Sequence, residues 1–217
     1  RHVEDFMVRI EALMIGDELL DGRVTDTNTV RLAQKLGEMG LKIQQRTTIT
    51  DDGEVIVREA RRIAERGTSL CVVSGGLGPT SDDITAESFA ALLDVPLERD
   101  EEQAQKLTDR LIARGREVTS NQLKQADRPQ GADVIVNNHG TAPGFAVDFE
   151  GCRFVQIQQN NITFQGGVMF VIIGRLIINP VIRLSTIFTW IVSLGASYYK
   201  INLYQNVKTK ITDGKIS

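Results

Sequence analysis

Cysteine and histidine are scarce in this chain, and their scarcity removes whole classes of chemistry. Two cysteines in 217 residues cannot make a disulfide framework. Cys71 and Cys152 sit in strand-like runs without metal-ligand spacing, so both are read as buried, reduced thiols. Two histidines, His2 and His139, are too few for a histidine-built zinc site, and His139 is read as a polar loop residue. There is no Ser/His/Asp arrangement and no phosphate loop of the Gly-x-x-x-x-Gly-Lys-Ser/Thr kind. A basic stretch leading into an apolar one is also missing near the N-terminus. No secretory leader is therefore expected, and the protein is read as cytoplasmic.

Each part of the chain carries an excess of one sign of charge, and acidic residues are scarce in the later part. Up to Glu150 there are 18 Lys and Arg against 27 Asp and Glu, a net of −9. From Gly151 onward there are 7 Lys and Arg against Asp213 alone, a net of +6. The acidic part argues against nucleic acid as a partner. The later part is different material: the 61 residues after Gln156 hold 12 isoleucines, one alanine and no glutamate, while the first 156 residues hold 9 isoleucines. Residues 168–194 are apolar, but Arg175, Arg183 and Pro180 argue against a membrane span. The division expected is a domain over 7–156 and an unmatched isoleucine-rich tail over 157–217, read as out-of-frame or otherwise foreign to the domain. Exposed, the tail would promote nonspecific association.

Within the domain, strands and helices alternate. Met7 to Ile15, Leu41 to Thr50, Leu70 to Val73, Val134 to Val136, Gly144 to Phe149 and Arg153 to Ile157 read as strands. A helix capped near Asp26-Thr27 carries Val30, Leu32, Ala33, Leu36 and Met39 on one face and stops at Gly40. Another, capped by Asp51 or Asp52, runs to Gly67; further helices span Thr85 to Leu93 and Asp100 to Arg114, the last on the surface. This alternation predicts an α/β fold, a mainly parallel sheet covered on both faces. Right-handed crossovers put the loops after the strands along one edge, where ligands bind in such sheets.

Two loops fall on that edge. Gly75-Gly76-Leu77-Gly78-Pro79-Thr80-Ser81-Asp82-Asp83 can present backbone N–H groups to an anion, with Thr80 and Ser81 adding hydroxyl donors. Carboxylates beside a phosphate imply a divalent cation between them, which makes Asp82 and Asp83 candidate metal ligands. The same residues also read as a plain turn with Asp83 as a helix cap. Asp17 and Glu18 form a second acidic pair, either a solvated turn or a metal ligand and general base. Asn28 is either a cap or a hydrogen-bonding group for a ribose or pterin.

Taken in order, Gly16-Asp17-Glu18-Leu19-Leu20-Asp21-Gly22, Asp26-Thr27-Asn28, Gly75 to Thr85, Asn137 and Gly140-Thr141-Ala142-Pro143-Gly144-Phe145 resemble the competence/damage-inducible protein A (CinA) family. The resemblance runs from about Met7 to Val155 and implies the molybdopterin-binding (MoaB/Mog-like) fold, a three-layer αβα sandwich. It implies either metal-dependent hydrolysis of an ADP-ribose-like diphosphate or binding and adenylylation of molybdopterin. In the first reading Gly75, Gly76 and Gly78 hold the diphosphate, and Asp82 and Asp83 bind the divalent metal ion. Asp17 or Glu18 then orients water, while Asn28, Thr80, Ser81 and Thr85 belong to the ligand site. Noncatalytic retention of a phosphate ligand is a third outcome. Relatives commonly self-associate, so a homo-oligomer is also implied. The Leu-Pro-Gly-x-Pro loop of relatives is replaced here by Gln156-Ile157-Gln158-Gln159-Asn160-Asn161, which predicts impaired activity. The deamidase domain of full-length relatives has no counterpart in the chain, so that activity is not expected.

Overall fold

The computed structural model describes residues 8–137 and 142–157. The tail from residue 158 onward, with its candidate membrane stretch, and the loop around His139 and Gly140 lie outside the described residues. In chain order the elements are β1 (Ile10–Ile15), α1 (Asp17–Leu20), α2 (Asn28–Glu38), β2 (Gln45–Ile49), α3 (Gly53–Glu65) and β3 (Leu70–Ser74). They continue with α4 (Thr85–Leu93), β4 (Leu97–Arg99), α5 (Glu101–Ala113), α6 (Ser120–Leu123), β5 (Asp127–Pro129), β6 (Asp133–Ile135), β7 (Gly144–Phe149) and β8 (Cys152–Ile157). A single 3-10 turn, Lys124–Ala126, separates α6 from β5.

Six strands form one sheet in the order β2-β1-β3-β8-β7-β6. The first four are mutually parallel, while β7 runs antiparallel to β8 and β6 antiparallel to β7. Every residue of β1, β3 and β8 is buried, the polar Glu11, Ser74, Arg153 and Gln156 included, as a sheet covered on both faces requires. The edge strand β2, Gln-Arg-Thr-Thr-Ile, buries only Ile49 fully. Its expected start at Leu41 gives way to irregular chain, in which the Gln44 side chain caps the β1 backbone by accepting from Ile10 N at 2.6 Å.

One core layer joins Leu13, Ile15, Cys71, Val73, Phe145 and Phe154 of the sheet to Ile56, Ala60 and Ile63 of α3 and Phe89 of α4. Phe89 meets Phe145 edge-on at 5.8 Å and Phe154 at 5.3 Å between ring centroids. The alternate strand residues Ala12, Met14, Val72, Ala146 and Val155 are buried on the other side, and so are Leu32 and Leu36 of α2 and Leu107 and Leu111 of α5. This is the three-layer arrangement the alternation predicts. α5 sits on the surface yet buries one stripe. The small antiparallel pair β4–β5, tied by Arg99 to Asp127 at 2.7 and 2.9 Å, was not predicted from sequence.

Helix boundaries follow their caps. Asp52 accepts from Val55 N at 3.0 Å and Asp100 accepts from Gln103 N at 3.0 Å, while Gly40 and Gly67 take the left-handed conformation that ends α2 and α3. Cys71 and Cys152 are free and buried. Burial pushes both thiols up, that of Cys152 to about 12, so neither is poised to react. Among the described residues no helix is long and apolar enough to cross a membrane.

Sheet topology fixes where a ligand can sit. From β1 the chain goes to β2 on one side, then crosses back to β3 on the other. The connections diverge between β1 and β3, which opens a crevice at their carboxyl ends. Because β1, β2 and β3 are parallel, the segments after Ile15, Ile49 and Ser74 all emerge at that edge.

Candidate functional site

A cleft of about 610 Å³ occupies this edge, lined by Ile15, Asp17, Glu18, Arg23, Asp51, Gly75, Gly76, Leu77, Gly78, Thr80, Asp82 and Asp83. The structure thus brings both sequence-predicted loops together across the switch point. A larger, apolar groove of about 760 Å³ lies elsewhere, between α3 and α4, away from these residues. The carboxylates and the glycine loop meet in the smaller cleft.

The glycine wall is rigidly built. Gly75 has φ +114°, and a Cβ there would lie 1.9 Å from the Ile15 carbonyl oxygen. Only glycine fits. Gly76 has φ +66°, and its missing Cβ leaves room for the Thr85 hydroxyl, which would otherwise be 2.2 Å away. The Gly75 carbonyl accepts from Thr85 Oγ1 at 3.0 Å and from Gln156 Nε2 at 2.6 Å, and the Gly76 carbonyl accepts from Thr85 N at 3.2 Å. Both carbonyls are therefore turned into the protein. In a planar trans peptide the next N–H points the opposite way, and there is no cis peptide among the described residues. The N–H groups of Gly76 and Leu77 are accordingly aimed outward. Neither they nor Gly78 N donates a hydrogen bond among the described residues. Successive unpaired amides of this kind make an anion-binding concavity, reinforced by the N-terminus of α4 directly behind.

Asp83 closes the loop by accepting from Thr80 N at 2.9 Å and Thr80 Oγ1 at 2.5 Å through one oxygen, Oδ2. Asp82 is exposed and accepts from Ser81 Oγ at 3.2 Å.

The facing wall is acidic. Asp17 Oδ1 accepts from Thr50 Oγ1 at 2.5 Å, and Asp17 N donates to Asp51 Oδ2 at 3.0 Å. The parallel register of Ile15 with Ile49 makes these neighbours, since each strand end delivers its next residues to the same place. Glu18 folds back over Gly16. Burial, followed by the charges of Glu18, Asp17 and Asp83, raises the Asp51 carboxyl above its ordinary value. Among the described residues Arg23 is the one cationic side chain lining the cleft; its Nε donates to Asp21 Oδ2 at 2.6 Å.

Three predicted residues do not line the cleft. Thr85 is fully buried on the glycine loop. Asn28 donates through Nδ2 to Ser74 Oγ at 2.9 Å, tying the start of α2 to the end of β3. Ser81 turns to Asp82. Sequence reasoning missed Asp51 as a cleft residue, having read it only as a helix cap, and missed Arg23 and Gln156 as members of the site. Pairing β1 with β2 in register would have found Asp51, and a glutamine inside the apolar run Phe154-Val155-Gln156-Ile157 was the available signal for the last.

The family described as "Probable molybdopterin binding domain" matches residues 11–158. The chain belongs to that family. Its molybdopterin-binding domain is 41% identical over 159 residues to a CinA-like protein of Anaeromyxobacter sp. (strain K), a match covering 73% of this chain and 39% of that protein. A putative competence-damage inducible protein of Caldanaerobacter subterraneus subsp. tengcongensis is 38% identical over 148 residues, 68% of this chain and 36% of that one. The chain thus spans well under half the length of these relatives. Among solved structures, a CinA protein of unknown function from Thermoplasma acidophilum aligns with a TM-score of 0.63 at 27% identity, covering 78% of this chain and 98% of that one. A molybdopterin biosynthesis protein from Mycobacterium abscessus shares the fold, with a TM-score of 0.51 at 19% identity over 82% of this chain and 97% of that one. The sequence resemblance to CinA proteins and the MoaB/Mog-like α/β architecture both hold.

Proposed function

We propose that the cleft binds a small phosphorylated ligand and hydrolyses the diphosphate of an ADP-ribose-like nucleotide with the help of a divalent cation. One observation carries this reading: the outward N–H groups of Gly76 and Leu77, with Gly78 N also lacking an acceptor among the described residues, lie across the crevice from a wall of carboxylates. An anion on the amides alone would be repelled by Asp17, Glu18, Asp51 and Asp83, and a cation between the two resolves the conflict.

The donor set suits a hard cation. Every candidate ligand is a carboxylate oxygen, and Asp51 already feels its acidic neighbours. Among the described residues no three such groups converge closely enough to hold a metal by themselves. One or two carboxylates, with Asp82 and Asp83 in first place, would hold the ion together with phosphate oxygens and water, the habit of magnesium-like ions. When bound, such an ion supplies neutralisation of charge developing on the phosphates and lowers the pKa of a coordinated water. The chain's own groups do the rest. The glycine-loop amides orient the diphosphate, Thr80 and Arg23 contact its outer oxygens, and Asp17 or Glu18 accepts a proton from the attacking water. Self-association and a cytoplasmic setting belong to the same proposal.

A second reading is favoured by the family match itself: the same amides hold the phosphate of a molybdopterin, and no hydrolysis follows. Release of AMP from ADP-ribose by the full chain, with and without added Mg²⁺ or Mn²⁺, separates the two. Metal-dependent AMP release that falls at least 100-fold in Asp82→Asn or Asp83→Asn supports hydrolysis. Tight molybdopterin binding with no AMP release supports the second reading, and turnover unchanged in both variants removes the metal role.

A further inference from the structure

Gln156 is the strangest residue of the sheet. It sits fully buried near the carboxyl end of β8, between Val73 of β3 and Phe145 of β7, in a position that apolar packing alone would give to a leucine or methionine. Its Nε2 donates to the Gly75 carbonyl at 2.6 Å, across 81 residues of sequence. A carbonyl oxygen only accepts, so the atom facing it must be the amide nitrogen, and the side-chain orientation is thereby fixed. The consequence is that Oε1 is left buried with no hydrogen-bond partner among the described residues.

Such an orphan is a cost that a structural glutamine would not carry. Gly75 O already has a donor in Thr85 Oγ1, so the second donor is not needed merely to satisfy the carbonyl. What two donors achieve is orientation. They hold the 75–76 peptide against rotation, and that peptide's other end is the Gly76 N–H aimed at the cleft.

We infer that Gln156 is a positioning residue that locks the Gly75–Gly76 peptide so that Gly76 N–H is preset for a phosphate oxygen. The inference rests on the phosphate-binding reading of the cleft and extends it to a residue outside the cleft. It also gives β8 a functional role: the end of this strand sets the geometry of the loop after β3. A preset amide loses no orientation when the anion arrives, which is where its advantage in binding lies.

The test uses the full chain with inorganic pyrophosphate as probe, by isothermal titration, alongside urea unfolding. Gln156→Met removes both the donor and the orphaned oxygen while keeping length and volume. The expected result is a folded protein at least as stable as the parent that binds pyrophosphate about 10-fold more weakly, a loss on the scale of one charged hydrogen bond. A variant less stable than the parent with undiminished affinity would show a structural role and overturn the inference; unchanged affinity with unchanged stability would overturn it too. Parent protein that binds no pyrophosphate would instead remove the phosphate-binding reading and this inference with it. Should Gln156→Met fail to fold, Thr85→Val and Thr85→Ser address the same carbonyl. Loss of affinity in the valine variant, restored in the serine variant, supports peptide locking, and equal affinity in both overturns it.

Discussion

The backbone amide of Asp17 donates to Asp51 Oδ2 at 3.0 Å, so two carboxylates from adjacent strand ends are held side by side at the mouth of the cleft. Burial and then the charges of Glu18, Asp17 and Asp83 raise the Asp51 carboxyl. A raised carboxyl favours folding below its unfolded pKa and loses that contribution as pH rises through the folded value. At neutral pH without a cation the ionised Asp51 therefore opposes folding. Asp51→Asn is expected to raise the melting temperature in chelator by only about 1–2 °C, because solvent screens a group this exposed. It should also shrink the gain that the parent shows on adding Mn²⁺. Differential scanning fluorimetry with and without chelator checks both.

Gly75→Ala sets a methyl group against the Ile15 carbonyl in a left-handed backbone conformation. The variant is expected to lose about 2–4 kcal/mol of stability, the combined cost of strain and overpacking. Gly22→Ala, also at positive φ but with open space around its Cβ position, should lose less. Urea unfolding of the pair separates steric closure of the site from backbone strain alone.

At the opposite end of β1, Glu11 is buried and bonded by Arg66 at 2.7 Å, Arg9 at 2.7 Å and Thr68 at 2.8 Å. Burial pushes its carboxyl up, but the hydrogen bonds from Arg66, Arg9 and Thr68 outweigh that and hold it below the ordinary value. A lowered carboxyl contributes stability above the unfolded pKa, about 4.3 for glutamate, which is lost as pH falls through the folded value. Unfolding free energy should therefore drop on acidification below about pH 4.3, and Glu11→Gln should flatten that limb. Arg66→Met leaves Glu11 with Arg9 and Thr68 only and is expected to cost roughly 2–4 kcal/mol at pH 7, somewhat under a fully broken buried pair.

The parts legible in the sequence were those set by local pattern. Thr85–Leu93 and Gly144–Phe149 fall where periodicity placed them, and Asp52, Asp100, Gly40 and Gly67 end their helices as turn and cap chemistry requires. The edge strands were less legible. Gln45–Ile49 and Asp133–Ile135 shift from their expected bounds because an edge strand is defined by pairing, which composition does not encode. The glycine loop and the Asp17-Glu18 turn were both visible as candidates. Their approach across the crevice depends on sheet order, and Asp51 joins them only through the β1–β2 register. Gln156 and Thr85 act on the loop from behind, through a peptide plane, and no spacing rule reports on that.

Arg23 lines the cleft on an exposed loop, paired to Asp21 through Nε and raised by that hydrogen bond and charge, then by Glu18 and Asp17. Its terminal NH₂ groups make no hydrogen bond among the described residues. Arg23→Ala should raise the KM for ADP-ribose about fivefold, the scale of one solvent-exposed charged contact, with kcat nearly unchanged. The effect should fade in high salt, as screening of an exposed charge demands. Steady-state kinetics at two salt concentrations provide the check.

Amide-resolved NMR of the full chain titrated with ADP-ribose and Mg²⁺ reads out whether the amides after Gly75 grip a phosphate. Large, saturable downfield shifts of the Gly76, Leu77 and Gly78 N–H signals are expected. Saturable shifts confined to residues elsewhere, or no response at those three amides at saturating ligand, would contradict that grip.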